Sequence, residues 1–326
     1  KQVPLESDFV DHVINVNRSQ VLMLAKGDAQ NQNLQDSADF ACIQIMHDIC
    51  TLGNPPASCL HCTIDVCILW LDHVNHFLDN SFEQVLFKIL CACLERVEYV
   101  AIQHSTTLKL MESLEKVTYY SIEDTSRSLA NYNFVLRIVD AILSSLGKDL
   151  RTKGQQSKST IFVSHASNLV LRVVHLLSEQ THEIHSQEYL EILKAGLDTI
   201  SRVHQTMTSQ EFREVPHLSL CLQEVRSVFR NLVIPLVLLC ISGEQSKVQT
   251  LSKSFLSLLN QFLSVENVSY DTHLDAELKS LATQLLDNNI IVLLANLASR
   301  EKSEDLFDDA SSLIKKVICI VTGKEL

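Results

Sequence analysis

Between residues 58 and 103 lie two apolar helical segments with almost no loop between them, and no other stretch restricts the fold as much. In the first, Leu60, Ile64, Cys67, Ile68, Leu71, Val74 and Leu78 recur at the i, i+3, i+4, i+7 spacing of one helical face. Cys62, Val66, Leu69, Trp70, His73 and Phe77 form a stripe on the opposite face. A helix that is apolar on two sides has to be covered on two sides, which places it inside a stack of helices. Asn80 and Ser81 interrupt it, and Ser81 with Gln84 three residues on is a capping-box start for the next segment. That segment carries Phe82, Val85, Leu86, Ile89, Leu90, Cys93, Leu94, Val97 and Val100. A joint this short folds it back on the first as a hairpin.

The rest of the chain varies this unit. Helical periodicity recurs over 8–26, 36–52, 105–120, 126–146, 160–179, 187–206, 218–242, 246–265, 271–287, 289–299 and 303–322. With the central pair that predicts roughly thirteen helices and an all-α fold without strands. The segments stop at Gly27, Gly53-Asn54-Pro55-Pro56, Gly147 and Gly243. Pro235, inside 218–242, removes a backbone donor and predicts a kink or break there. Only 7 Gly and 5 Pro occur in 326 residues, fewer than turn-rich sheets or glycine-lined nucleotide loops need. Residues 148–159 are polar, basic and aperiodic. They read as a surface loop between an N-terminal half (1–147) and a C-terminal half (160–326) of one solenoid. Because the sequence starts at Lys1, it reads as a piece of a longer protein.

Hairpins recurring about every 40 residues resemble the armadillo/HEAT-type α-solenoids, in architecture and not through any residue motif. That resemblance implies a non-enzymatic scaffold that binds a protein segment along a helical-repeat surface. It also implies, as an alternative, an adaptor subunit of a kinase or genome-maintenance assembly (DNA damage or meiotic).

Composition narrows the partners. A net charge of −12 argues against gripping nucleic acid or anionic membrane and favours basic or apolar protein segments. The most apolar run, 232–241, is half the length of a membrane span, so none is expected. Most of the 10 cysteines, Cys42, Cys67, Cys93, Cys221, Cys240 and Cys319 among them, fall on apolar helical faces. This usage indicates a reducing intracellular compartment, cytoplasm or nucleus.

Motifs that carry chemistry are sparse. Cys59, His61, Cys62 and Cys67, with His47 and Cys50 upstream, have ligand-like spacing, and a metal-binding protein built on them is a further alternative. The second cysteine pair of a zinc knuckle is missing, and the same thiols fit apolar faces. His182-Glu183-Ile184-His185 sets its histidines at i and i+3 instead of the i and i+4 that share a helix face. His73 and His76 beside Asp72 and Asp79 read as hydrogen-bonded helix residues. Lys148, Arg151, Lys153 and Lys158 form a cationic segment suited to an acidic partner, without the aromatics of a nucleic-acid site. Glu301, Glu304, Asp305, Asp308 and Asp309 sit where they offset a helix dipole. No nucleophile elbow, Gly-rich phosphate loop or cofactor motif is present, so no enzyme and no cofactor are expected.

Overall fold

The computed structural model describes residues 7–25, 38–53, 55–73, 80–96, 104–123, 129–149, 156–180, 184, 186–209, 216–242, 248–263, 272–287, 290, 292, 296, 299 and 304–323. They form α1 (Ser7–Ala25), α2 (Ala38–Leu52), α3 (Ala57–His73), α4 (Asn80–Arg96), α5 (His104–Glu123), α6 (Leu129–Asp149) and α7 (Gln156–Glu179). Then follow α8 (Gln187–Thr208), α9 (Pro216–Val228), α10 (Ile234–Ser242), α11 (Val248–Phe262), α12 (Thr272–Asp287) and α13 (Glu304–Thr322). A π-helical turn, Phe229–Val233, joins α9 to α10 without a break, so the described residues make twelve helices and no strand. The thirteenth expected helix, 289–299, lies mostly outside the described residues. The chain divides into two compact units, 1–173 with 211–218 and 174–210 with 219–326. The boundary falls within α7.

In the first unit, alternate helices lie side by side. One layer stacks α1 on α3 and α3 on α5, the other α2 on α4 and α4 on α6, and α1–α2, α3–α4 and α5–α6 pair across the layers. Polar contacts show that stacked helices run parallel. Thr106 Oγ1 donates to Asp65 Oδ1 at 3.1 Å, and two helical turns on Ser113 Oγ donates to Asp72 Oδ1 at 2.9 Å. Both bonds join residues 41 apart, so the two helices advance together. That separation is the repeat length, and the packing is compatible with a helical solenoid.

The two-sided helix α3 sits where its stripes require, between α1, α4 and α5. Leu60, Ile64, Cys67, Ile68 and Leu71 are buried on one face, and Val66 and Trp70 on the other. Trp70 meets Phe82 edge-on, ring centroids 5.1 Å apart, which locks the hairpin. At the far end of α2, Gly53 N–H bonds the Ile49 carbonyl. Arg96 from α4 then donates to the Gly53 and Thr51 carbonyls at 2.8 and 3.1 Å, satisfying acceptors that a helix end leaves open.

Between α4 and α6 the stack encloses a carboxylate. Glu83 is 1 % exposed and accepts from Asn131 Nδ2 at 2.8 Å. Asn131→Leu removes this buried bond to a carboxylate and should cost about 1–3 kcal/mol in urea unfolding, and the double variant with Glu83→Leu should cost less than the sum of the two single changes. A double-variant loss equal to the sum of the two single losses would show that the pair is not coupled.

The second unit stacks α8 on α11 and α11 on α13, with α10 against α11 and α12 against α13. Ser186 caps α8 by accepting from the Tyr189 N–H at 3.1 Å, and buried Tyr189 donates its hydroxyl to the Leu177 carbonyl at 2.8 Å. Ser201 Oγ bonds Gln261 Oε1 at 2.7 Å, and Lys316 Nζ donates to the Asn260 carbonyl at 3.1 Å.

Two expectations change. Pro235 does not break its helix. Its missing N–H would have met the Asn231 carbonyl, and the chain widens into a π turn just before it. The Ile234 N–H bonds back to the Phe229 carbonyl, five residues away, and the rod continues. The helices also reach into the basic segment, α6 through Asp149 and α7 from Gln156, because Gly147 costs a helix only about 1 kcal/mol.

One described helix, Thr160–Glu179, is long and apolar enough to cross a membrane, with 61 % of its window buried inside the protein. His165 Nδ1 lies 2.6 Å from Glu115 Oε1, and Arg172 donates to the Glu115 carbonyl at 3.1 Å. Both are contacts of a core helix.

Candidate functional site

The cysteines with ligand-like spacing disperse. Cys59 is buried and its thiol points at Asp11 Oδ1 from 3.4 Å, His61 is half-buried, Cys62 faces solvent and Cys67 is fully buried. Among the described residues no three His, Cys, Asp or Glu side chains are placed to hold a metal ion. A different thiol pair comes together instead. Cys93 donates to Cys50 across 3.7 Å, from helices stacked one repeat apart. Donating that bond, with burial, raises the Cys93 thiol, and accepting it lowers Cys50. Burial raises Cys67 as well. Their 43-residue separation, close to one repeat, is the signal that could have found the pair.

The side chains of Lys148 and Lys158, and all of Arg151 and Lys153, lie outside the described residues. So do His182, Glu183, His185, His76, Asp79 and Glu301, and the side chains of His73, Glu304 and Asp305. Asp72 pairs with Lys116 at 2.8 Å and with Ser113, structural partners in the neighbouring helix.

Among the described residues, a concavity opens in the second unit. Pro216 starts α9, where its missing N–H costs nothing. Cys221, Val225 and Phe229, at i, i+4 and i+8, form the buried face of this helix. The π turn inserts one residue, and one residue in a 3.6-residue turn rotates everything upstream by about 100° relative to α10. The rotated face presents Leu220, Gln223, Glu224, Ser227 and Arg230, with Arg226 at its edge, across from Leu278 and Leu281 of α12. Phe262 forms the floor, and the cleft holds about 420 Å³.

The π turn is tied to α12. Arg230 Nη1 donates to Ser280 Oγ at 3.3 Å, and Gln284 Nε2 to the Arg230 carbonyl at 3.4 Å. Leu220 stands at the opposite end, 64 % exposed.

Beneath the floor the aromatic rings stack. Phe229 lies 4.5 Å from Phe262 and nearly parallel to it, and the His204 ring, on α8, lies 4.3 Å from Phe262 and tilted by 33°. His204 is 1 % exposed, and neither ring nitrogen has a hydrogen-bond partner among the described residues. Burial, and then the Arg226 cation, push its pKa down to about 3, so the ring is neutral at pH 7. The cleft thus joins an apolar floor, two arginines four residues apart, and two polar side chains, Gln223 and Ser227. This arrangement can hold a chain segment by shape and charge.

No family model matches the chain, no curated protein matches it, and no solved structure matches it.

Proposed function

We propose that this protein is a non-enzymatic interaction scaffold of the armadillo/HEAT type, binding a segment of a partner protein. The observation that carries the reading is the α9–α12 cleft: open between two helices, floored by Phe262 and edged by arginines. Arginine beside an exposed leucine and over an aromatic floor is the composition of protein-binding hot spots. Grooves between helices commonly take an amphipathic segment. A second surface supports an adaptor form. On α13, Phe307 and Val321 are exposed at 57 % and 43 %, with half-buried Ile314 and Ile318 in line with them at heptad-like spacing. All nine described cysteines are free, in keeping with a reducing compartment.

The test places a photo-crosslinking benzophenone residue at position 220. Irradiation in cell extract should give a few discrete protein adducts, identified by mass spectrometry and absent when the probe replaces exposed Lys253 on α11. A chain that gives no adduct above background at position 220, and is stabilised instead by a small metabolite, is not this scaffold.

A further inference from the structure

Taking the scaffold reading as its basis, we propose that the α9–α12 cleft receives a partner segment that combines apolar anchors with carboxylates. The chain as a whole carries −12 and by itself favours basic partners. The cleft reverses that locally. Its lining holds Arg226 and Arg230 against one carboxylate, Glu224. Glu224 is exposed at the rim, whereas both arginines are half-buried at the opposite edge of the α9 face. A guanidinium against low-dielectric walls selects carboxylates by paired, charge-assisted hydrogen bonds.

Arg230 spends its present bonds on neutral oxygens, Ser280 Oγ and Asn231 Oδ1, both at 3.3 Å. A carboxylate replaces such long neutral contacts with shorter and roughly twice stronger ones. His204 behind the floor is neutral and adds nothing to the field. The remaining wall, Leu220, Phe262, Leu278 and Leu281, is apolar and takes the anchors. About 420 Å³ accommodates a few side chains of a segment whose backbone stays outside, along the open side between α9 and α12.

The experiment is an unbiased selection. Phage displaying random peptides about sixteen residues long, some four helical turns, are panned on the full chain. Enriched peptides are then measured by fluorescence anisotropy. The expected winners carry Leu, Ile or Phe at i and i+3 or i+4, flanked by Asp or Glu. Arg230→Glu and Leu220→Glu should each weaken them by at least about tenfold, the scale of a lost hot-spot contact. Arg230→Glu should also turn the preference toward the Lys-substituted twin of the same peptide. Leu220 is largely exposed, so Leu220→Glu leaves the fold intact, with circular dichroism as the check.

Enrichment of basic peptides whose binding Leu220→Glu abolishes overturns this inference and leaves the scaffold standing. So does self-association in light scattering that Leu220→Glu removes, which makes a second copy the occupant. No enrichment, with octanoate raising the melting temperature of the wild type but not of Arg230→Glu, overturns both readings and makes the cleft a small-carboxylate site.

Discussion

Leu71→Ala should destabilise the protein by about 2–5 kcal/mol, the range for removing a large apolar side chain from a core that cannot collapse around the hole. Leu71 is 0 % exposed, in the last turn of a helix that contacts α1, α4 and α5. Three rigid neighbours leave little freedom to fill the cavity. The measurement is convenient because the single tryptophan, Trp70, is in the same helix and reports that unit's unfolding. In guanidinium titrations followed by its fluorescence, the midpoint should fall with the slope unchanged. Leu22→Ala, at a position 44 % exposed on α1, should stay within about 0.5 kcal/mol of wild type. A Leu71→Ala effect as small as the Leu22→Ala one would end the argument that α3 is covered on both sides.

The second large effect is a pH dependence. His204 titrates near 6.5 when unfolded, and in the folded protein its pKa is down at about 3. Between those values the unfolded chain binds a proton that the native state refuses. Stability is therefore complete above pH 6.5 and is lost as pH falls, at about 1.4 kcal/mol per pH unit. Across the window that is on the order of 5 kcal/mol. Phe262 from α11 lies against the ring and the Arg226 cation from α9 acts on it, and among the described residues nothing gives a proton on Nδ1 or Nε2 a partner.

His204→Phe keeps the stacked ring and removes the titration. The variant should equal or exceed wild type at pH 7, since two buried nitrogens without partners disappear. Its advantage should then widen steadily from pH 6.5 to pH 5, where few ordinary carboxylates titrate. Urea unfolding followed by far-ultraviolet circular dichroism gives the two curves. Curves that stay parallel over that range would mean that His204 is protonated, or solvated, in the native state.

How much of this was legible beforehand depended on the range of the interactions concerned. The two stripes of α3, the hairpin into α4 and the repeat length were readable because helical periodicity is local, and burial follows from which face is apolar. The second stripe was only partly right: Cys62 is exposed and Leu69 half-buried, since a stripe records composition and not which neighbour arrives. Pro235 was legible as a disturbance, but not in kind. A missing donor can end a helix, kink it or widen it, and packing of Val233, Ile234, Leu236 and Val237 on both sides of the proline favours keeping the rod continuous.

Local spacing therefore determined the helices, their pairing and the buried faces of the first unit, because those depend on residues within a few turns of one another. Only the tertiary structure decided which thiols meet and where a cleft opens. Cys50 and Cys93 are 43 residues apart, and Arg230 and Ser280 are 50 apart. His204 and Phe262 meet ring to ring although more than a whole helix pair lies between them in the chain. Whether Arg226 faces solvent or a neutral histidine is a property of three helices meeting, and no periodicity within one of them encodes it.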